Sequence, residues 1–158
     1  MTQATRLEII AWDERYADAF RELNVAWLEK FFRVEAIDAE LLGNPHAQVI
    51  AGGGEILFAK THDTIVGTVA LKHHGEGHYE LTKMAVDEAC QGRGIGRQLL
   101  EGCVAEFRRR KGHKLFLESH SSLGPALALY ESGGFEHAAA PQPSDYERAD
   151  VYMIYRGD

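Results

Sequence analysis

Apolar residues change their spacing several times along this chain, and each change marks an expected element. The run "RLEIIAW" (residues 6–12) alternates like a first strand. Asp13 follows as a good N-cap, and Tyr16, Phe20, Leu23, Trp27, Leu28 and Phe31 then recur at helical spacing. "AIDAELLGNP" predicts a second short helix, capped by Asp38 and stopped by Gly43 and Pro45. Next come "EILFAK", "TIVGTVALKHH" and "HYELTKMAV", joined through His62-Asp63 and "GEG". Connections that short predict three antiparallel strands in a row.

After Val86 the helical period returns. Ile95, Leu99, Leu100, Cys103, Val104 and Phe107 trace one apolar stripe that ends near Lys111-Gly112. "KLFLES" (residues 114–119) reads as a short strand, and "GPALALYESGGF" as a helix entered through Pro125 and closed by Gly133-Gly134. Phe135 opens another strand and "ADVYMIY" (residues 149–155) is the last. The expected order is βααβββαβαββ, an α/β layer with an antiparallel front half and helix-connected strands behind.

Composition narrows the classes. A chain of 158 residues is the size of one domain, expected over residues 1–158. A net charge of −7 argues against a nucleic-acid surface. The one dense basic run, Arg108 to Lys111, suits the last turn of a helix. Two cysteines make neither a disulfide framework nor a metal pair; Cys103 falls on an apolar stripe and Cys90 in a loop. His73, His74 and His78 flank a turn without an acidic or cysteine ligand at a familiar spacing, so no metal is expected. No apolar run is long enough for a membrane span, and a cytoplasmic protein with no membrane partner is the expectation.

The glycines of "CQGRGIGRQLLEGC" carry the clearest chemistry. Gly92, Gly94 and Gly96 weaken the start of a helix, yet they let a ligand reach the main chain where the first N–H groups are unpaired. Such a helix start suits a phosphate, and Arg93 and Arg97 can add charge from the side. The third glycine is misplaced for a dinucleotide fingerprint, and no P-loop run exists in the chain.

Gln91-Gly92-Arg93-Gly94-Ile95-Gly96 matches the Q-x-x-G-x-G/A signature, and the chain resembles the GNAT superfamily of acyl-CoA-dependent N-acetyltransferases. "MAV" (residues 84–86) resembles the family's fourth strand, and "ALALYESGGF" (residues 126–135) its later helix with a tyrosine before G-F. The resemblance implies a mixed, largely antiparallel sheet of about seven strands flanked by helices, with the fourth and fifth strands splayed. Acetyl-CoA is the implied cofactor. Gln91 through Arg97 would hold its pyrophosphate, Met84, Ala85 and Val86 would pair with the pantetheine arm, and Ala126, Leu129 and Tyr130 would line the same site. Imperfect alternation at Lys83 fits a bulge beside that arm. Many members carry asparagine after the fifth strand, where this chain has Ser119, a hydroxyl with fewer donors.

Tyr130 matches the family tyrosine near the thioester sulfur, and a phenol can protonate a departing thiolate; it also fits a packing face with Ala126 and Leu129. Glu80 matches the place where some members carry a general base, and it equally fits a solvent-facing strand position. The acceptor site is implied by the first two helices and the last hairpin. Trp27, Phe31 and Phe32 exceed what one short helical stripe must bury, as ordinary core or as a pocket wall. Glu35, Asp145 and Glu147 could meet a cationic amine, and Tyr146 lies in the same hairpin. A small or amino-acid-like primary amine is the expected acceptor, attacked in a ternary complex, and the resemblance allows a homodimer. The alternative is an acyl-CoA-binding sensor that keeps the fold without transfer.

Overall fold

Seven strands share one sheet in the order β1-β2-β3-β4-β5-β7-β6. The structure, a computed structural model, describes residues 6–157. The strands are β1 (Leu7–Ile10), β2 (Glu55–Thr61), β3 (Thr64–His73), β4 (His78–Val86), β5 (Lys114–Ser119), β6 (Phe135–His137) and β7 (Val151–Tyr155). The helices are α1 (Ala17–Phe31), α2 (Ala36–Gly43), α3 (Ile95–Arg109) and α4 (Gly124–Ser132). Every neighbouring pair is antiparallel except β4–β5, which is parallel with α3 as its crossover. The element order matches the hydrophobic pattern from end to end.

Two apolar clusters divide the core. Leu99, Leu100, Cys103 and Phe107 on α3 pack against Leu57, Val69, Leu81, Leu115 and Leu117 of the sheet. Phe20 and Leu28 of α1 and Leu41 and Leu42 of α2 pack with Ile56, Phe58 and Ala70. Each large side chain fully buried in this way contributes about 1.5–3 kcal/mol relative to exposure. Alternation along β4 and β5 therefore sends Tyr79, Leu81, Leu115 and Leu117 into the first cluster, and turns Glu80 and Glu118 away from it.

Three local expectations need correction. The buried stripe of α1 is Phe20, Asn24 and Leu28; Asn24 is tolerated there because its amide donates to the Phe20 carbonyl at 3.0 Å. Asp13 caps a single 3-10 turn at Glu14–Tyr16 rather than α1 itself, its carboxylate accepting from Arg15 N–H at 3.0 Å. The N-cap of α2 is Glu35, not Asp38. Asp38 is the third helical residue and accepts from the Glu35 N–H at 2.9 Å, completing a capping box. After Pro45 the chain also winds through one π turn, His46–Ile50, which no spacing announced.

Candidate active site

β4 and β5 are hydrogen-bonded partners over only three positions, His78 with Lys114, Tyr79 with Leu115 and Glu80 with Phe116. Beyond Glu80 they part. The edge of β4 facing β5 then runs to Val86 without a partner strand, a row of N–H and C=O groups able to pair with an extended ligand. On its other side β4 carries a bulge: Lys83 and Met84 face the single residue Val69 between the Thr82 and Ala85 pairs. Lys83 takes a left-handed φ of 54°, an uncommon conformation for a residue with a side chain.

Past Val86 a short turn leads into the glycine loop. Gly92 and Gly94 have φ of 83° and 76°, and a Cβ at either would meet nothing within 4 Å. Both therefore serve backbone conformation beside open space. Gly96 differs, since a Cβ there would come within 3.4 Å of Leu129 on α4. Gly94 ends the loop as N-cap of α3 with no side-chain cap, and the first bond it accepts comes from Gln98 N–H. The N–H groups of the loop and first turn are left facing outward, with the positive end of the helix dipole behind them.

Three hollows lie in series around this edge. The first, about 430 Å³, runs over Met84, Ala85 and Val86, past Gln91, Gly92, Gly94, Ile95 and Gly96, and against Ala126, Leu129 and Tyr130. Trp27 and Phe31 form its outer wall; among the described residues Phe31 is the one large apolar side chain that is exposed, at 46%. Two expected residues are not brought there. Arg97 is turned to α4, donating to Ser132 Oγ at 2.7 Å, and Arg93 stays exposed outside the groove. Ser119 lies in the next hollow, a narrow cleft of about 80 Å³ between the splayed strands.

That cleft shares Trp27, Met84, Leu123 and Tyr130 with the first groove. Tyr130 stands at the junction. Burial pushes its phenol up to about 12, so it stays protonated at neutral pH. Phe32, Glu80, Glu118, Tyr146 and Arg148 lie on the cleft's far side. Phe32 packs edge-on against His120, ring centroids 5.4 Å apart.

Glu80 is 6% exposed and its carboxylate meets His74 Nε2 at 2.9 Å. Glu118 is the residue the sequence reading missed. Burial raises its carboxyl above the ordinary value, against the Ser144 hydroxyl that donates to it, and the charges of Glu80 and Asp145 push the same way. A carboxylate so placed accepts a proton more readily than one in water. The alternation of "KLFLES", with Leu115 and Leu117 inward, is the signal that could have placed it beside Glu80.

Behind the cleft sits a buried charge network. Asp38, 0% exposed, receives both Arg148 guanidinium nitrogens at 2.7 and 2.8 Å and Lys83 Nζ at 2.9 Å. Burial alone would raise Asp38, but the Arg148 bonds and then the Lys83 charge outweigh it and hold the carboxyl down to about 2. Lys83 is itself lowered, because desolvation outweighs the pull of Asp38. Its Nζ also donates to the Tyr146 hydroxyl at 3.2 Å and lies 4.6 Å from that ring. Tyr146 thus lines the cleft. Glu35 does not: its oxygens accept from Glu147 N–H and from Arg148, which ties it to the loop before β7. Glu147 is paired with Arg33. Among the described residues no helix is long and apolar enough to cross a membrane.

Comparison with known proteins agrees with this geometry. Residues 9–135 match the family model described as "Acetyltransferase (GNAT) family". The chain is 36% identical over 102 residues to the uncharacterized protein ML0378 of Mycobacterium leprae, covering 62% of this chain and 28% of that one. It is 36% identical over 121 residues to the N-alpha-acetyltransferase RimI of Mycobacterium tuberculosis, covering 73% and 69%. A mycothiol acetyltransferase of Acidothermus cellulolyticus is 30% identical over 125 residues, 76% of this chain and 34% of that protein. Among solved structures, a GNAT-family acetyltransferase of Staphylococcus aureus superposes with a TM-score of 0.84 at 19% identity, covering 94% and 98%. The yncA protein of Salmonella typhimurium, solved with its cofactor acetyl-CoA, superposes at 0.74 and 21%, covering 95% and 92%. On the match over most of its length, the chain belongs to the acetyltransferase (GNAT) family.

Proposed function

We propose that this protein transfers an acetyl group from acetyl-CoA to a primary amine of a small or amino-acid-like acceptor, both bound at once. One observation carries the reading. The unpaired β4 edge leads into an uncapped glycine loop at one end and to Tyr130, Glu80 and Glu118 at the other. The groove fits acetyl-CoA, with N–H groups for a pyrophosphate at the loop and a strand edge for an amide-bearing arm. Acetyl-CoA supplies a thioester, an acyl carbon already activated toward amines.

The chain's own groups do the rest. Glu118, with Glu80 beside it, takes the proton an ammonium must lose before it can attack. N–H groups of the β4 edge near Met84 to Val86 donate to the oxygen that gathers negative charge. Tyr130 gives its proton to the departing sulfur. A sensor that only binds has no use for a phenol that lines one cleft with two carboxylates. The relatives' names differ in what they specify, N-alpha-acetylation in one and mycothiol in the other.

Two outcomes check these roles. Tyr130→Phe is expected to lower kcat by about 100-fold or more with acetyl-CoA affinity retained; full turnover across pH removes the acid. Glu118 acts as base only when deprotonated, so kcat/KM falls as pH drops through its raised pKa. Glu118→Gln is expected to abolish that acidic limb, and Glu80→Gln to move it to lower pH by removing a neighbouring negative charge. Unchanged profiles in both variants contradict the assignment.

A further inference from the structure

The third hollow, about 260 Å³, opens from the cleft beside Glu80, Glu118 and Tyr146 under the loop before β7. Its charge changes sign along its length. The inner end holds Glu80 and Glu118, with Asp145 on the covering loop close enough to raise Glu118 further. The outer end carries His78 and Lys114, and Lys72 stands on the side wall level with Glu80. Register orders them: Lys72 stands opposite Glu80, His78 beside Lys114, and Glu118 four positions along β5 from Lys114. His74 sits at the same mouth, its ring committed to Glu80.

Neither lysine has a protein anion. Lys72 and Lys114 form no ion pair among the described residues; Lys114 lies only over the Phe116 and Tyr152 rings, 5.7 and 5.3 Å from their centroids. In a chain with 24 acidic and 17 basic residues, two unpaired lysines at one hollow are placed for an anion from outside. The donor groove meets the cleft on the glycine-loop side, and this hollow meets it at Glu80, Glu118 and Tyr146, an approach the donor does not use.

We propose, resting on the transferase reading, that the acceptor is a primary amine bearing an anionic group about 7–13 Å from the nitrogen, the reach of two to four strand residues. The ammonium meets Glu80 and Glu118 while the anion meets Lys114 at the outer end, with Lys72 adding positive charge from the side wall. A free α-amino acid is too short, because its carboxylate is one carbon from the amine. Two sources share the chemistry: a chain end with an acidic side chain in its first few residues, and a small amino acid with amine and carboxylate at opposite ends.

The test measures CoA release by the full chain with hexapeptides that begin with the same alanine and continue in acidic, neutral or basic residues. 6-Aminohexanoate and its uncharged amide form the second arm. The acidic peptide is expected to exceed the basic one in kcat/KM by about fivefold or more, mainly through KM, as rim charges of this kind allow. The Lys72→Glu/Lys114→Glu double variant is expected to invert that order, its fold verified by circular dichroism. Preference for 6-aminohexanoate over its amide, with peptides undiscriminated, supports the small source; preference among peptides supports the chain end. Equal turnover of all acceptors, or an order unmoved by the charge reversal, overturns this inference and leaves the transferase standing. No CoA release with any amine, while acetyl-CoA still shifts the melting temperature, overturns both.

Discussion

Gly94→Glu removes acetyl-CoA binding and leaves the protein folded. A Cβ at position 94 meets no atom within 4 Å, so the cost to the fold is the left-handed φ of 76°, about 1–2 kcal/mol. The new carboxylate sits at the start of α3, where the dipole and the free N–H groups welcome it. It therefore occupies the anion site in place of a phosphate and repels one. Affinity is expected to fall at least about 100-fold, the equivalent of two charge-assisted hydrogen bonds of ~1.5 kcal/mol each. The readout is thermal. Acetyl-CoA at 100 times its Kd stabilises the parent by about 2.7 kcal/mol, and the variant by no more than about 0.4 kcal/mol at the same concentration. Gly94→Ala, with the same backbone strain and no charge, is expected to keep part of it. A full shift in Gly94→Glu places the pyrophosphate elsewhere.

The largest loss of stability is expected at Asp38. Its carboxylate is the shared partner of Arg148 and Lys83, and Asp38→Ala leaves both cations buried without it. Breaking such a network from one side costs about 3–5 kcal/mol, roughly 6–20 °C in melting temperature for a chain of this size. The folded pKa of Asp38, about 2, lies below its unfolded value near 3.8. Its stabilisation is therefore in place above about pH 4 and is lost as pH falls toward 2. Asp38→Ala removes that part of the acid dependence. The double variant Asp38→Leu/Lys83→Met deletes one cation with the anion, and recovers part of the stability. A melting temperature within a degree or two of the parent contradicts the role given to this network. Because Lys83 is also the bulged residue of β4, loosening it reaches the strand edge that the donor groove uses.

What the sequence made legible follows from range. The glycine loop, the tyrosine before G-F and the strand–helix order are local patterns, and each appears where its spacing put it. Imperfect alternation at Lys83 also marked the bulge that the register shift displays. Glu118 was passed over because its character comes from Glu80 and Asp145, residues far apart in sequence. Asp38 read as a helix cap because its nearest neighbours are local, while its strongest partner, Arg148, lies 110 positions away. Glu35 looked available for an acceptor for the same reason: the loop that consumes it is over 100 residues downstream. Trp27 and Phe31 were surplus to the α1 stripe, and their surplus face is the wall of the donor groove.

The most direct measurement of the central claim is mass spectrometry of the acceptor after incubation with acetyl-CoA and the intact chain, read beside release of free CoA. The account predicts one acetyl group on the amine nitrogen per CoA released, lost together in Tyr130→Phe and Gly94→Glu. Acetyl-CoA bound tightly but neither consumed nor transferred, across amines of both charge types, contradicts it.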